Sequence, residues 1–308
     1  MRLLVVGAGS TGGYFGGRLA QAGCDVTFLV RPGRAAKLRE SGLRIVSPHG
    51  DATLQPKVVT PETLAATYDA LLLTVKGYQL EAAIEDLAPA VGPESMILPV
   101  LNGMRHMELL AQRFSPHNVV GCAAKVSTTL DDDGRVVQLS TLQEIVYGEL
   151  GGELTPRIQG LNEFMRSAEI GARLSPAIRR EMWEKWTLLA SLGAINCLMR
   201  GTIGEIEACP GGAAFALRLL GEVVAIVAAV GVAPSDGFLA AARAMLTEKG
   251  SPLAASMFRD LQGGKPVEAE AIVGDLIRRG ANAGIAAPLL SAAYVCLVVH
   301  QNRIGMTR

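Results

Sequence analysis

Apolar and polar positions along this chain fall into two textures. In the first part, short continuous apolar runs alternate with stretches of helical period. The runs are LLVVG (3–7), DVTFLV (25–30), DALLLTVK (69–76) and SMILPVLN (95–102), and the helical stretches between them cover 10–22, 33–42 and 78–88. Apolar strands separated by helices of about a dozen residues predict a parallel sheet covered on both faces. Residues 118–130, 135–140 and 144–150 are β-rich around a DDDG turn at 131–134, and they predict an antiparallel extension. From about Pro176 the alternation stops. Segments 178–200, 211–232, 236–249, 252–262, 266–280 and 286–303 are long and rich in Ala and Leu, and predict helices throughout. The expected organisation is an α/β domain over 1–176 followed by an all-α domain over 177–308.

Composition narrows the possibilities. Hydrophobic residues make up 49% of the 308 and charged residues 19%, enough apolar material for sizeable cores. Lys+Arg and Asp+Glu both number 29, so no broad basic face is available for nucleic acid or an acidic membrane. Ligand recognition must then come from a local site. Cys24, Cys122, Cys197, Cys209 and Cys296 are scattered without a CxxC or Cys/His cluster and read as reduced thiols rather than a disulfide framework or metal site. The N-terminus turns into glycines without a signal-peptide cleavage pattern. The longest apolar run, 223–233, falls short of a bilayer span. A cytoplasmic protein is expected, and the length of the apolar helices suggests a homodimer through the helical half.

The first strand runs into GAGSTGG, which supplies Gly7, Gly9 and Gly12 in G-x-G-x-x-G spacing and opens a helix. In that context the pattern marks a Rossmann-type dinucleotide site. Gly7 permits the turn, Gly9 lets a pyrophosphate approach the backbone, and Gly12 lets helix and strand pack closely. Ser10 and Thr11 stand at the helix N-terminus, whose N–H groups and dipole favour phosphate. At the end of the second strand, where an NAD enzyme usually places Asp or Glu, the chain reads FLVRPGR. Arg31, with Arg34 nearby, suits a 2′-phosphate through charge-assisted hydrogen bonds, so NADPH/NADP+ is expected over NAD. Lys76 after LLLTV and Asn102–Gly103 after the next strand fall at the carboxyl edge of the sheet, where ligands bind.

In the helical half, EMWEKWTLLASLGAINC (181–197) holds Lys185 between the only two tryptophans, Trp183 and Trp186. Leu189 and Gly193 follow at i+4 and i+8 on its face, with Leu192 and Asn196 close by. An amphipathic helix with one snorkelling lysine would account for this by itself. Further on, Ser251–Pro252 reads as an N-cap with proline at N1, and Lys265–Pro266 as another helix start that leaves Glu268 in the first turn. Ser256, Met257 and Asp260 lie between them.

These residues together resemble the ketopantoate reductase (2-dehydropantoate 2-reductase) family. The resemblance covers GAGSTGG, Arg31, VKGYQ with Lys76 and Gln79, LNGM with Asn102, WEKW with Lys185, and ASM followed by Glu268. It implies NADPH along the first domain, with its 2′-phosphate near Arg31 and Lys76, and a small 2-oxoacid as substrate. Lys185 would polarise the ketone and donate a proton to its oxygen, with Glu268 orienting the site. Ser256 would bind the substrate carboxylate, and Asn102 would help to place nicotinamide and substrate. A fixed ammonium where negative charge grows stabilises the transition state preferentially.

The chain departs from the family pattern where asparagines usually stand four and eight residues after the lysine, at Leu189 and Gly193. Asn196 lies roughly 10 Å beyond Leu189 along the helix and is the remaining amide on that face. A leucine there favours a more apolar oxoacid. Two other readings stay open. A β-hydroxyacid or polyol-phosphate dehydrogenase would carry K-x-x-N or K-x-x-x-N, and neither follows Lys185. A catalytically silent NADP-binding sensor would keep the glycine loop and Arg31 without needing Lys185 or Glu268.

Overall fold

A computed structural model describes residues 1–305. The chain divides into two compact units: one comprises Met1–Leu101 and His106–Arg179, the other Asn102–Arg105 and the chain from Arg180 onward.

The first unit runs β1 (Arg2–Val6), α1 (Ser10–Gln21), β2 (Asp25–Leu29), α2 (Pro32–Ser41), β3 (Leu43–Val46), β4 (Ala52–Leu54), β5 (Lys57–Val59), β6 (Tyr68–Leu73), α3 (Leu80–Leu87), β7 (Val91–Pro99), α4 (Arg105–Arg113), β8 (Gly121–Leu130), β9 (Val136–Gly148), α5 (Pro156–Arg166) and β10 (Ala172–Leu174). Its main sheet has the order β5-β2-β1-β6-β7 with parallel pairing throughout. This is a Rossmann-type sheet, as its buried two-faced strands predict. The order reverses at β1, so the crevice beyond β1 and β6 is the position where such sheets bind ligands.

A second sheet, β10-β9-β3-β4 with β8 paired to β9, replaces the expected extension of the first. Segments 135–140 and 144–150 prove to be one strand, because Thr141–Gln143 stays extended opposite β8 and the register slips only between Val126 and Thr128. The helix α1 lies between the two sheets, and its glycine pairs make the sandwich possible. A Cβ on Gly16 would come 2.8 Å from Val5 and 2.9 Å from Phe28 in the main sheet. One on Gly13 or Gly17 would come within 2.8 Å of Val136 or 2.7 Å of Ile45 in the second. Close packing of this kind leaves no room for a methyl group.

The second unit is helical: α6 (Ile178–Met199, which starts just before the unit boundary), α7 (Ile203–Glu207), α8 (Gly212–Val230), α9 (Asp236–Leu246), α10 (Ser256–Gln262), a π-turn at Glu270–Gly274 that leads into α11 (Asp275–Asn282), and α12 (Pro288–Arg303). The apolar run 223–233 overlaps the end of the longer α8, whose 19 residues include an 18-residue window of mean hydropathy 2.1 and could span a membrane by length and composition. Leu219, Leu220, Val223, Ile226 and Val227 of α8 are buried, and α8 packs with α9, α11 and α12. Half-buried acids fix helix starts across this unit: Glu222 accepts the N–H groups of Leu289 and Leu290 at the head of α12 (3.1 and 2.9 Å), and Glu184 accepts from Ser235 at the head of α9. Unpaired N–H groups at a helix start would otherwise be a cost.

Two helix starts differ from the sequence expectation. Ser251 does not cap a helix beginning at Pro252. Its carbonyl accepts the Gly204 N–H and the Leu253 carbonyl that of Ile203, which holds 251–253 extended until α10 begins at Ser256. Glu268 likewise stands ahead of the helical run rather than inside its first turn. The Val267 N–H is taken by Gln301, and the helix enters through the π-turn.

Candidate functional site

The glycine loop is built as its spacing requires. Gly7 has φ +96°, open to glycine and strained for other residues. A Cβ at Gly12 would sit 2.1 Å from the Gly7 carbonyl oxygen and 2.2 Å from Thr74 Oγ1. Thr74, at the end of β6, donates to the carbonyls of Val6 and Gly7 (2.9 and 2.8 Å) and pins the loop to the neighbouring strand. Gly9, by contrast, has nothing within 4 Å of its Cβ position. It is the N-cap of α1, without a side-chain cap and with no acid in the first turn, so the N–H groups near Ser10 and Thr11 carry no competing carboxylate. That leaves the open approach and positive field a pyrophosphate needs.

A cavity of about 270 Å³ begins at this loop. Its lining includes Gly7, Gly9, Arg31, Arg34, Asp86 and Leu130. The two arginines, alike in sequence, differ in the structure. Arg34 is half-buried and committed: its Nε donates to the Ala8 carbonyl at 3.2 Å and both terminal nitrogens to that of Gly134 at 3.3 Å. Burial lowers its pKa from the ordinary guanidinium value. Arg31 is exposed at the N-cap of α2. Lys76 is exposed too, between Val75 and Gln79 of the cavity lining, and its N–H reaches Gln79 Oε1 at 3.4 Å. The geometry fits a dinucleotide: an open glycine, an uncapped helix start and an uncommitted guanidinium share one cavity. Thr74, Asp86 and Leu130 were not singled out by sequence reasoning. Only the TV step before Lys76 offered a signal, since a threonine ending a strand can turn its hydroxyl to a neighbouring carbonyl.

The second cluster lies in the helical unit. Lys185 is half-buried on α6, while Trp183 and Trp186 on either side are 6% and 1% exposed, with ring centroids 5.2 Å apart. The tryptophans are structural. Trp183 lies against Gly231, where a Cβ would come 2.6 Å from the indole. Trp186 Nε1 donates to the Ile272 carbonyl at 2.9 Å and ties α6 to the π-turn. Turns of this type concentrate at functional sites.

Asn102 and Glu268, 166 residues apart, meet in the same unit: the Asn102 Nδ2 donates to Glu268 Oε2 at 3.4 Å. The next residue, Gly103, has φ +86°, and a Cβ there would sit 2.3 Å from the Ala271 carbonyl in the same π-turn. The Asn-Gly step is thus a turn and a docking point at once. Glu268 is 8% exposed, and Ser256 is exposed as the first residue of α10.

Asn196 does not face a ligand. It is fully buried, its Nδ2 donating to the Gly201 carbonyl at 2.8 Å and its Oδ1 accepting the Ala255 N–H at 2.9 Å. The role open to it from sequence, that of a substrate amide, passes to a clamp that fixes the stretch before Ser256. Gly193 makes room for a side chain rather than a ligand, since a Cβ there would lie 2.6 Å from Met257 Cε.

Comparison with known proteins covers both parts of the chain. Residues 3–152 match the family model described as ketopantoate reductase PanE/ApbA, and residues 177–301 match its C-terminal counterpart. An uncharacterised oxidoreductase of Bacillus subtilis, YkpB, is 34% identical over 302 residues, covering 98% of this chain and 99% of the relative. The 2-dehydropantoate 2-reductase of Halobacterium salinarum is 28% identical, covering 94% of this chain and 95% of its own. The crystal structure of 2-dehydropantoate 2-reductase from Geobacter metallireducens superposes with a TM-score of 0.86 at 28% identity, covering 97% of this chain and 99% of that one.

Proposed function

Since the chain belongs to the ketopantoate reductase family, an oxidoreductase family that uses a nicotinamide cofactor, we propose that it reduces a small 2-oxoacid to the 2-hydroxyacid with NADPH. Ketopantoate to pantoate, a step of pantothenate biosynthesis, is the conversion the family name carries. Gly7, Gly9, Ser10, Thr11 and Gly12 would hold the pyrophosphate, Arg31 with Lys76 the 2′-phosphate, and Asn102 the nicotinamide end. When bound, the cofactor supplies a hydride to the carbonyl carbon. The chain does the rest. Lys185 holds an ammonium where the ketone oxygen gains charge and gives that oxygen a proton. Glu268, its carboxylate bonded to Asn102, orients the site, and the Ser256 hydroxyl receives the substrate carboxylate.

One observation carries this reading. Asn102 and Glu268, 166 residues apart, are hydrogen-bonded in the unit that also holds the half-buried Lys185. A sensor that only bound the cofactor would have no use for that convergence. The test is NADPH oxidation by the purified protein against ketopantoate and a panel of 2-oxoacids. Lys185→Ala should lower kcat by about 10²–10⁴, the range of a lost general acid, with the Kd for NADPH unchanged. Turnover that survives in the variant would remove Lys185 from the chemistry. NADPH binding without turnover of any oxoacid would favour the sensor.

A further inference from the structure

We infer that the site beyond Lys185 selects 2-oxoacids with an apolar side chain and disfavours a hydroxyl there, and that Leu189 and Met257 make the selection. The inference rests on the reductase reading and specifies its substrate.

Beyond Lys185, α6 carries five side chains with polar or thiol groups, and the first, Trp186, already gives its indole N–H to the Ile272 carbonyl. Thr187 Oγ1 donates back to the Trp183 carbonyl and Ser191 Oγ to that of Thr187, each at 2.8 Å, and both residues are fully buried. Asn196 is committed at both ends of its amide. Cys197 is buried, and burial pushes its thiol up to about 12, so it stays a neutral, weakly polar group. None of the five turns an available hydrogen bond towards a ligand.

The side chains that share the lysine's face are apolar. Leu189, one turn on, is half-buried like Lys185 itself, and residues four apart on a helix are neighbours. At the next turn the notch of Gly193 is closed by Met257, which is 4% exposed and whose Cε would lie 2.6 Å from a Cβ at position 193. Along this stretch of α6 that leaves Lys185 as the polar group for a ligand, alongside Asn102, Glu268 and Ser256 from other segments, the groups assigned to the ketone and carboxylate. A substrate hydroxyl lying along Leu189 and Met257 would leave water without gaining a partner.

The test uses a matched pair: ketopantoate, and 3,3-dimethyl-2-oxopentanoate, in which a methyl group replaces the hydroxyl. The expected result is a kcat/KM about ten- to a hundredfold higher for the methyl compound. Leu189→Asn, a substitution at a half-buried position, should shift that ratio towards the hydroxyl compound by about tenfold. Met257→Ala, which keeps Gly193 and opens the notch, should shift it the same way by a smaller factor. These ratios cancel a general loss of folded enzyme. Equal or better use of ketopantoate by the parent protein, or a ratio unmoved by Leu189→Asn, would overturn the inference and leave the reductase reading standing. Failure to reduce either compound or any other 2-oxoacid would overturn both.

Discussion

Gly9 and Gly12 occupy equivalent places in one motif, yet the structure gives them opposite sensitivities. Gly12 is needed by the fold, since any Cβ there would collide with the Gly7 carbonyl and with Thr74 at about 2.2 Å or less. Gly9 is needed only by a ligand, because its φ of −78° suits other residues and its Cβ position meets nothing. Gly12→Ala should therefore destabilise the protein by about 1–3 kcal/mol, the cost of forcing a methyl into a packed site, seen as a lower urea midpoint. Gly9→Ala should leave that midpoint unchanged and weaken NADPH binding by about tenfold, measured by cofactor fluorescence. Unchanged affinity in Gly9→Ala would mean that the pyrophosphate does not approach this loop.

At the scale of elements, α6 is held to the segment before α10 by one side chain. Asn196→Ala would leave the Gly201 carbonyl and the Ala255 N–H buried without a partner. At about 1–3 kcal/mol for each such group, the expected loss is roughly 2–6 kcal/mol, read from the urea midpoint. A loss below about 0.5 kcal/mol would show that water or relaxation supplies both bonds. The same clamp explains what the sequence could and could not convey. The strands β1, β2, β6 and β7 are legible because burial on both faces makes them continuous apolar runs. The strands β3, β4 and β5 are only three or four residues long, and Leu43 and Ile45 of β3 are their only buried residues, so they carry too little pattern to be seen. Ser251–Pro252 has the chemistry of a helix start, but backbone bonds from Ile203 and Gly204, remote in sequence, hold it extended. The glycine loop and Arg31 could be read from spacing because their context is local. Lys185 and Glu268 needed the family resemblance, and the Met257–Gly193 contact needed the three-dimensional structure, since no period links residues 64 apart on separate helices.

For the whole molecule, a net charge of zero leaves no general field to draw in one nicotinamide cofactor over the other, so any preference must rest on the cations at the cavity. Of the two arginines Arg31 is the one positioned for that, with Lys76 beside it, because Arg34 is bonded to the carbonyls of Ala8 and Gly134. A ligand present at a hundred times its Kd stabilises the folded state by about 2.7 kcal/mol. For a unit of this size that raises Tm by about 5–10 °C. NADPH should produce such a shift at a concentration where NADH gives a clearly smaller one. Arg31→Ala should bring the NADPH shift most of the way down to the NADH value while leaving the Tm of the cofactor-free protein in place. Arg34→Ala should instead lower that cofactor-free Tm, because it removes hydrogen bonds that hold the loop. Equal shifts from the two cofactors in the parent protein, or a gap that survives Arg31→Ala, would take the 2′-phosphate away from Arg31 and with it the reason for preferring NADPH.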